Sequence, residues 1–181
     1  MNAPLHARCG FRTGPLSVAV VMTGGTIAKS YDPAKAKLVN AEPKVTEIIA
    51  DLRADDLRFD FFDLMHLDSL EIRDAERVQI ADAVAAACKT HDAVLVTHGT
   101  DSMAESGAFL CERMQDIPVP VVFTGAMVPF ALKSSDASQN IAEALLAIRF
   151  LPPGAYVVLH NRVLRLPGVH KDHKKLTFEE A

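Results

Sequence analysis

Four short apolar runs, at 16–22, 93–97, 119–123 and 155–159, punctuate the chain and are bounded by Gly, Pro or polar residues. Runs of this length without alternation predict strands buried on both faces, as in a parallel sheet. The segments between them change period. From Ala75 to Lys89 the apolar positions Val78, Ile80, Ala81, Val84, Ala85 and Cys88 follow a helical repeat, with Asp74 placed as an N-cap. The spans 103–114 and 138–150 predict helices in the same way. Phe59 to Met65 predicts a further strand, and Val45 to Leu52 a short helix just after Pro43. The resulting β-α-β alternation implies an α/β fold, a three-layer sandwich with a mainly parallel sheet and right-handed crossovers. The chain shows no internal repeat or low-complexity tract.

A chain of 181 residues buries roughly 70% of its unfolded surface, enough for one core without disulfides or metal. We therefore expect one domain over 16–181, preceded by a loose extension, 1–15. His6, Arg8 and Arg12 ahead of Leu16–Met22 have the order of a signal peptide's charged and apolar regions. The apolar run is only seven residues long, however, and cutting after it would remove a strand that the fold needs. No apolar stretch approaches the ~20 residues that span a bilayer. The formal net charge of −4, with both signs interspersed, provides no basic stripe for nucleic acid and no polybasic membrane patch. A small molecule is the expected partner. Cys9, Cys88 and Cys111 are odd in number and widely spaced, which fits reduced thiols in a cytoplasmic protein, two of them in the core.

Candidate chemistry lies in two turns at the ends of apolar runs: Val-Met-Thr-Gly-Gly-Thr-Ile-Ala at 21–28 and Val-Thr-His-Gly-Thr-Asp-Ser-Met at 96–103. In an α/β sheet, ligands bind beyond the carboxyl ends of parallel strands, so hydroxyls on two such turns can converge on one molecule. Gly25 and Gly99 would let the backbone approach it closely. Thr26, Thr100 and Asp101 would then point into the crevice. Alone, one such turn is usually a plain strand-to-loop connection. Four segments in order are more specific: the two turns, Phe123–Pro129 with Ser135-Asp136-Ala137 and Asn140, and Leu159-His160-Asn161 through Lys171.

In these segments the chain resembles the bacterial-type L-asparaginases and glutaminase-asparaginases, from about Leu16 onward. The resemblance implies the three-layer fold of their N-terminal domain, with one left-handed connection near the site, and an amidohydrolase that converts L-asparagine to L-aspartate and ammonia without a cofactor. An amide is a poor electrophile with a poor leaving group, so hydrolysis needs a nucleophile, a proton route and donors for an oxyanion. The resemblance pairs Thr26 with Tyr31 as its activator; both orders of attack by Thr26 and Thr100 are open for such enzymes, and Thr26 is named here as the primary nucleophile. Tyr31 lies on a polar loop with Lys29, Ser30, Asp32 and Pro33 that would close as a lid. It places Thr100, Asp101 and Lys171 as the second centre. There the lysine must be neutral, or share its proton, to act as a base, and Asp101 orients it and helps hold the substrate ammonium.

Ser69 matches the serine that accepts the substrate carboxylate, and Asp68 or Glu71 would join the pocket. Leu70 departs from relatives that place a glutamine there, because leucine offers no hydrogen bond. The chain also stops at Ala181, where such relatives continue into a second domain that completes the amino-group cage from a neighbouring subunit. Either it is a short natural form or it is truncated. Its charged ending favours the former, and a homodimer or homotetramer is expected.

Glutamine, one methylene longer, is the competing substrate, discriminated by ~1–3 kcal/mol in such a pocket. The alternatives are an amidase preferring glutamine and a non-catalytic amino-acid-binding or regulatory domain. An amidase subunit acting on amidated aminoacyl-tRNA is disfavoured by the acidic charge. His170 and His173 read as a solvated surface rather than a metal site. No phosphate-binding glycine motif and no G-x-S-x-G elbow occurs.

Overall fold

The computed structural model describes residues 12–40 and 44–181. Its main sheet contains β1 (Leu16–Gly24), β4 (Leu57–Leu67), β5 (Ala93–Thr97), β6 (Pro120–Thr124), β7 (Gly154–Leu159) and β8 (Arg162–Arg165). The order is β4-β1-β5-β6-β7-β8, parallel throughout except for β8, which runs antiparallel to β7. All five residues of β5 and of β6 are buried, as expected of central strands covered on both faces.

Successive side chains on a strand point to opposite faces, and this divides the core in two. On one face Ala19, Val21, Val94, Val96, Val121 and Phe123 pack with Ile80 and Val84 of α2 (Asp74–Ala87) and Leu110 of α3 (Met103–Arg113). On the other, Val18, Val20, Leu95 and Val122 pack with Ile48 of α1 (Val45–Asp51) and with Ile141 and Ile148 of α4 (Ala137–Ile148). Two layers of helix around one sheet make the three-layer α/β sandwich that the periodicity predicts.

The structure differs from the sequence reading in detail. Asp74 is the first helical residue of α2 rather than its cap, and Arg73 takes the cap position with its N–H donating to Glu76 Oε2 at 2.8 Å. Two hairpins arise where the sequence is too polar and too short to announce strands: β2 (Lys29–Asp32) with β3 (Lys37–Asn40), and β9 (Val169–Asp172) with β10 (Thr177–Glu180). β4 is also longer than its predicted span, and Phe61 and Phe62 are exposed along this edge strand. Residues 1–11, and with them Cys9, lie outside the described residues. The remainder of the expected loose extension is held: Arg12 N–H donates to the Arg149 carbonyl at 3.1 Å, and Arg149 Nη1 donates back to the Arg12 carbonyl at 2.9 Å. Of the other two cysteines, Cys88 is buried and Cys111 half-buried, and burial pushes the Cys88 thiol up to about 11.

Phe123 is fully buried in a central strand, whereas Phe62 is 43% exposed on the edge. Phe123→Ala is expected to cost ~3–5 kcal/mol, and Phe62→Ala under about 1 kcal/mol. Urea unfolding of the two variants beside the parent chain measures the difference.

Candidate functional site

The two Gly-Thr turns meet because β1 and β5 are neighbours, with Met22 opposite Thr97. Thr23 Oγ1 donates to the Thr97 carbonyl at 2.9 Å, which ties the strand ends together. Beyond this point the two backbones touch. Gly25 has φ 81°, and a Cβ there would lie 2.4 Å from both Cα and N of Gly99. A Cβ on Gly99 would in turn lie 2.6 Å from Ser69 Cβ. Gly25 N–H donates to the Leu67 carbonyl at 2.9 Å, so the end of β4 joins the same junction. The glycines predicted to line the crevice thus act by removing side chains from a three-way backbone contact.

On the β5 side the chemistry is assembled. Lys171 reaches in from β9 with its side chain 9% exposed. Its Nζ donates to Thr100 Oγ1 at 2.7 Å and to Asp101 Oδ1 at 2.7 Å. Asp101 N–H donates to Ser69 Oγ at 3.3 Å, while that hydroxyl lies 3.5 Å from Asp101 Oδ2. Ser102 Oγ donates to the Ser69 carbonyl at 2.5 Å and anchors the turn that carries Ser69. Thr100, Asp101, Lys171 and Ser69, from three separate parts of the chain, therefore form one contiguous cluster. A cavity beside it is lined by Asp101, Glu105, His170, Lys171 and His173. Both histidines are exposed, and among the described residues no group of three or more His, Cys, Asp or Glu side chains is arranged to hold a metal.

The opposite wall is less closely knit. Thr26 begins a 3-10 turn, Thr26–Ala28, and is half-buried. Tyr31 is 62% exposed on β2, opposite Leu38. Among the described residues no side-chain hydrogen bond joins Tyr31 to Thr26. The predicted polar loop is the β2–β3 hairpin, latched by Lys29 Nζ donating to Asp68 Oδ2 at 2.6 Å. That bond is the main cause of the lowered Asp68 pKa, working against burial. Asp68 also accepts from Leu70 N–H, and its own N–H donates to Glu71 Oε2, so Asp68 and Glu71 cap the 3-10 turn Ser69–Glu71. Leu70 projects from this turn, 65% exposed.

Lys29 is the residue that sequence reasoning missed as a fixture of the site. Its only signal is a positive charge on the lid segment and the carboxylate of Asp68, expected in the pocket and here bonded to Lys29. Also unforeseen is the Asp136 network. This carboxylate accepts from Met127 N–H, Val128 N–H, Asn140 Nδ2 and His160 Nε2. Burial raises its pKa, but these hydrogen bonds outweigh burial and hold it low. The network braces the loop after β6, beside the crevice.

The carboxyl edge of this mainly parallel sheet brings a hydroxyl, an amine and a carboxylate into mutual contact, at the end of the strands where α/β folds as a class hold their ligands. Comparison with known proteins specifies it further. A family model described as Asparaginase, N-terminal, matches residues 17–177, and the chain belongs to the asparaginase family. It is 32% identical over 158 residues to L-asparaginase of Thermococcus kodakarensis, covering 87% of this chain and 48% of that protein. The solved structure of the thermostable L-asparaginase from the same organism superposes with a TM-score of 0.82 at 31% identity, covering 91% of this chain and 51% of that one. L-asparaginase I from Vibrio cholerae superposes with a TM-score of 0.78 at 25% identity, over 92% and 52% of the two chains. The chain spans about half the length of the L-asparaginases it matches.

His98 lies inside the β5 turn, fully buried, with Nδ1 2.7 Å from the Gly99 carbonyl. Burial pushes its pKa down to about 4, against the Gly99 hydrogen bond and with help from the Arg77 charge. Unfolding restores the ordinary value of 6.5, so between about pH 4 and 6.5 the unfolded chain binds the extra proton and stability rises with pH. His98→Asn is expected to flatten that rise in unfolding free energy measured from pH 4 to 7. An unchanged slope would assign the rise to other groups.

Proposed function

We propose that the chain is an amidohydrolase that converts L-asparagine to L-aspartate and ammonia through a threonine nucleophile and without a cofactor. The observation that carries this reading is Lys171 Nζ within 2.7 Å of both Thr100 Oγ1 and Asp101 Oδ1 at the mouth of the sheet. Family membership over 17–177 supports it.

A threonine hydroxyl is a weak nucleophile until a base takes its proton. On the Thr100 side that base is Lys171, which in its neutral form would accept the Thr100 proton while still donating to Asp101, the carboxylate that keeps the amine aimed at this hydroxyl. In the first half-reaction the Thr26 oxygen bonds to the amide carbon, the C–N bond breaks, and the nucleophile's proton leaves with nitrogen as ammonia. Thr26 belongs to the wall on which β2 carries Tyr31, so closure of the hairpin is required to bring the tyrosine to it. In the second half-reaction Thr100, Lys171 and Asp101 activate water. Its oxygen displaces the threonine from the aspartyl ester and its proton returns to Thr26. Gly25 N–H is occupied by the Leu67 carbonyl, so donors for the oxyanion would have to come from other N–H groups of the two turns. In this reading Ser69 meets the substrate carboxylate and Asp101 its ammonium, while Asp68 holds the rim through Lys29.

Glutamine is the competing substrate, and a homodimer or homotetramer is the assembly we expect. Because the chain spans half the length of L-asparaginases it matches, amino-acid binding without turnover is the second reading.

Ammonia release from L-asparagine and L-glutamine decides between them. The parent chain is expected to hydrolyse asparagine, and Thr26→Ala, Thr100→Ala and Lys171→Met to lose at least about 100-fold in kcat while remaining folded. Thr100→Ala should trap an aspartyl ester on Thr26, visible by mass spectrometry. An ester on Thr100 in the Thr26→Ala chain would exchange the two roles, and calorimetric binding of asparagine without ammonia release would establish the second reading.

A further inference from the structure

The lysine at the centre of the cluster is not on the main sheet. It lies on β9, which pairs with β10 in a separate two-stranded ribbon. An isolated ribbon of this size is marginally stable in water, so its position relative to the sheet must be fixed from outside. Phe178 supplies one fixture: it stands directly opposite Lys171 in the ribbon and its side chain is 1% exposed in the core. Val169 of β9 is buried in the same core, and a further fixture is Arg162, the first residue of β8. Its Nη1 donates to the Phe178 carbonyl at 3.0 Å and lies 3.5 Å from Glu179 Oε1.

Arg162 is itself held firmly. It pairs with Leu159 across the two-residue turn His160-Asn161, in which both residues have positive φ, 54° and 60°, the requirement of the tight hairpin turn that matches strand twist. His160 N–H donates to Asn140 Oδ1 at 3.2 Å and Asn161 N–H to Glu143 Oε2 at 2.8 Å, so α4 fixes the turn. A continuous path of short contacts thus runs from α4 through the turn to Arg162, to the Phe178 backbone and across the ribbon to Lys171.

We propose that Arg162 is a positioning residue for Lys171: it clasps β10 at the residue facing the lysine and so sets how far Nζ reaches toward Thr100 Oγ1. This rests on the reading of Lys171 and Thr100 as parts of an amide-hydrolysing site. The side chain of Arg162 is 45% exposed, and Glu179 is shared with Lys175 at 2.8 Å, so the ion pair adds little to stability. The guanidinium's contribution is directional, because its planar fork holds the carbonyl bond while leaving donors for Glu179.

The test compares Arg162→Gln, Arg162→Lys and Lys171→Met with the parent chain by steady-state ammonia release and by hydrogen exchange read by mass spectrometry. Arg162→Gln is expected to lower kcat roughly 10- to 100-fold with KM unchanged, and to speed exchange over 169–180 while 93–97 and 120–124 keep the parent rate. Arg162→Lys, which retains one donor for the carbonyl, should recover part of kcat and of the protection. Unchanged kcat with unchanged exchange over 169–180 would overturn the proposal. So would faster exchange through the central strands as well, which would make Arg162 a general stabiliser. Should the parent chain release no ammonia, the amidohydrolase reading fails separately. Exchange over 169–180 then decides the clasp alone: acceleration confined to that segment supports it, and parent-like exchange overturns it.

Discussion

The contact between Gly25 and Gly99 is the constraint on which the rest of the site depends. Two parallel neighbours in a sheet are separated by the hydrogen-bonding distance, and side chains beyond their ends would normally widen the gap. Here neither turn has a Cβ at the junction, and the backbones close to a separation at which a methyl group would stand 2.4 Å from its neighbour. The end of β4 enters the same junction through the Gly25 N–H bond to Leu67. Three chain segments are thereby fixed against one another, and the residues that follow them, Thr26, Thr100 and Ser69, inherit their places from that packing.

Charges then complete what the backbone frames. Lys171 is almost fully covered, and a covered amine without hydrogen-bond partners would be costly. Its bonds to Asp101 and Thr100 supply those partners, and the same bonds make the cluster chemically capable. Lys29 and Asp68 repeat the device at the rim, where both groups keep more solvent. Stability and chemistry share atoms on the lysine side. On the Thr26 side they do not, and Tyr31 stands free of the threonine that it is expected to serve.

The parallel strands were legible because Leu16–Met22 and Ala93–Thr97 are apolar beyond what a one-sided strand needs, and α2 was legible from Ile80, Ala81 and Val84 at helical spacing. The ribbons were not. Val-His-Lys-Asp and Thr-Phe-Glu-Glu carry one core residue each, and pairing alone makes them strands. The β7–β8 turn was hidden for another reason: His160 and Asn161 adopt positive φ without the glycine that usually marks such a turn. The approach of Lys171 to Thr100 spans 71 positions, and no local pattern encodes it. Family resemblance supplied that pair, while the latch of Lys29 on Asp68, 39 positions apart, had no motif to signal it.

Leu70 has a consequence for what the crevice can select. It sits beside Ser69, on a turn capped by Asp68 and Glu71, and shows most of its surface to solvent. A branched hydrocarbon at this rim cannot recognise a polar group, and it can only exclude water or be wetted badly. Any polar group that met Leu70 would keep its hydration on that side, which leaves hydrogen bonding in this region to Ser69, Asp101 and Thr100. An exposed hydrocarbon flanked by the Asp68 and Glu71 carboxylates thus divides the turn into a polar inner side and an apolar outer one.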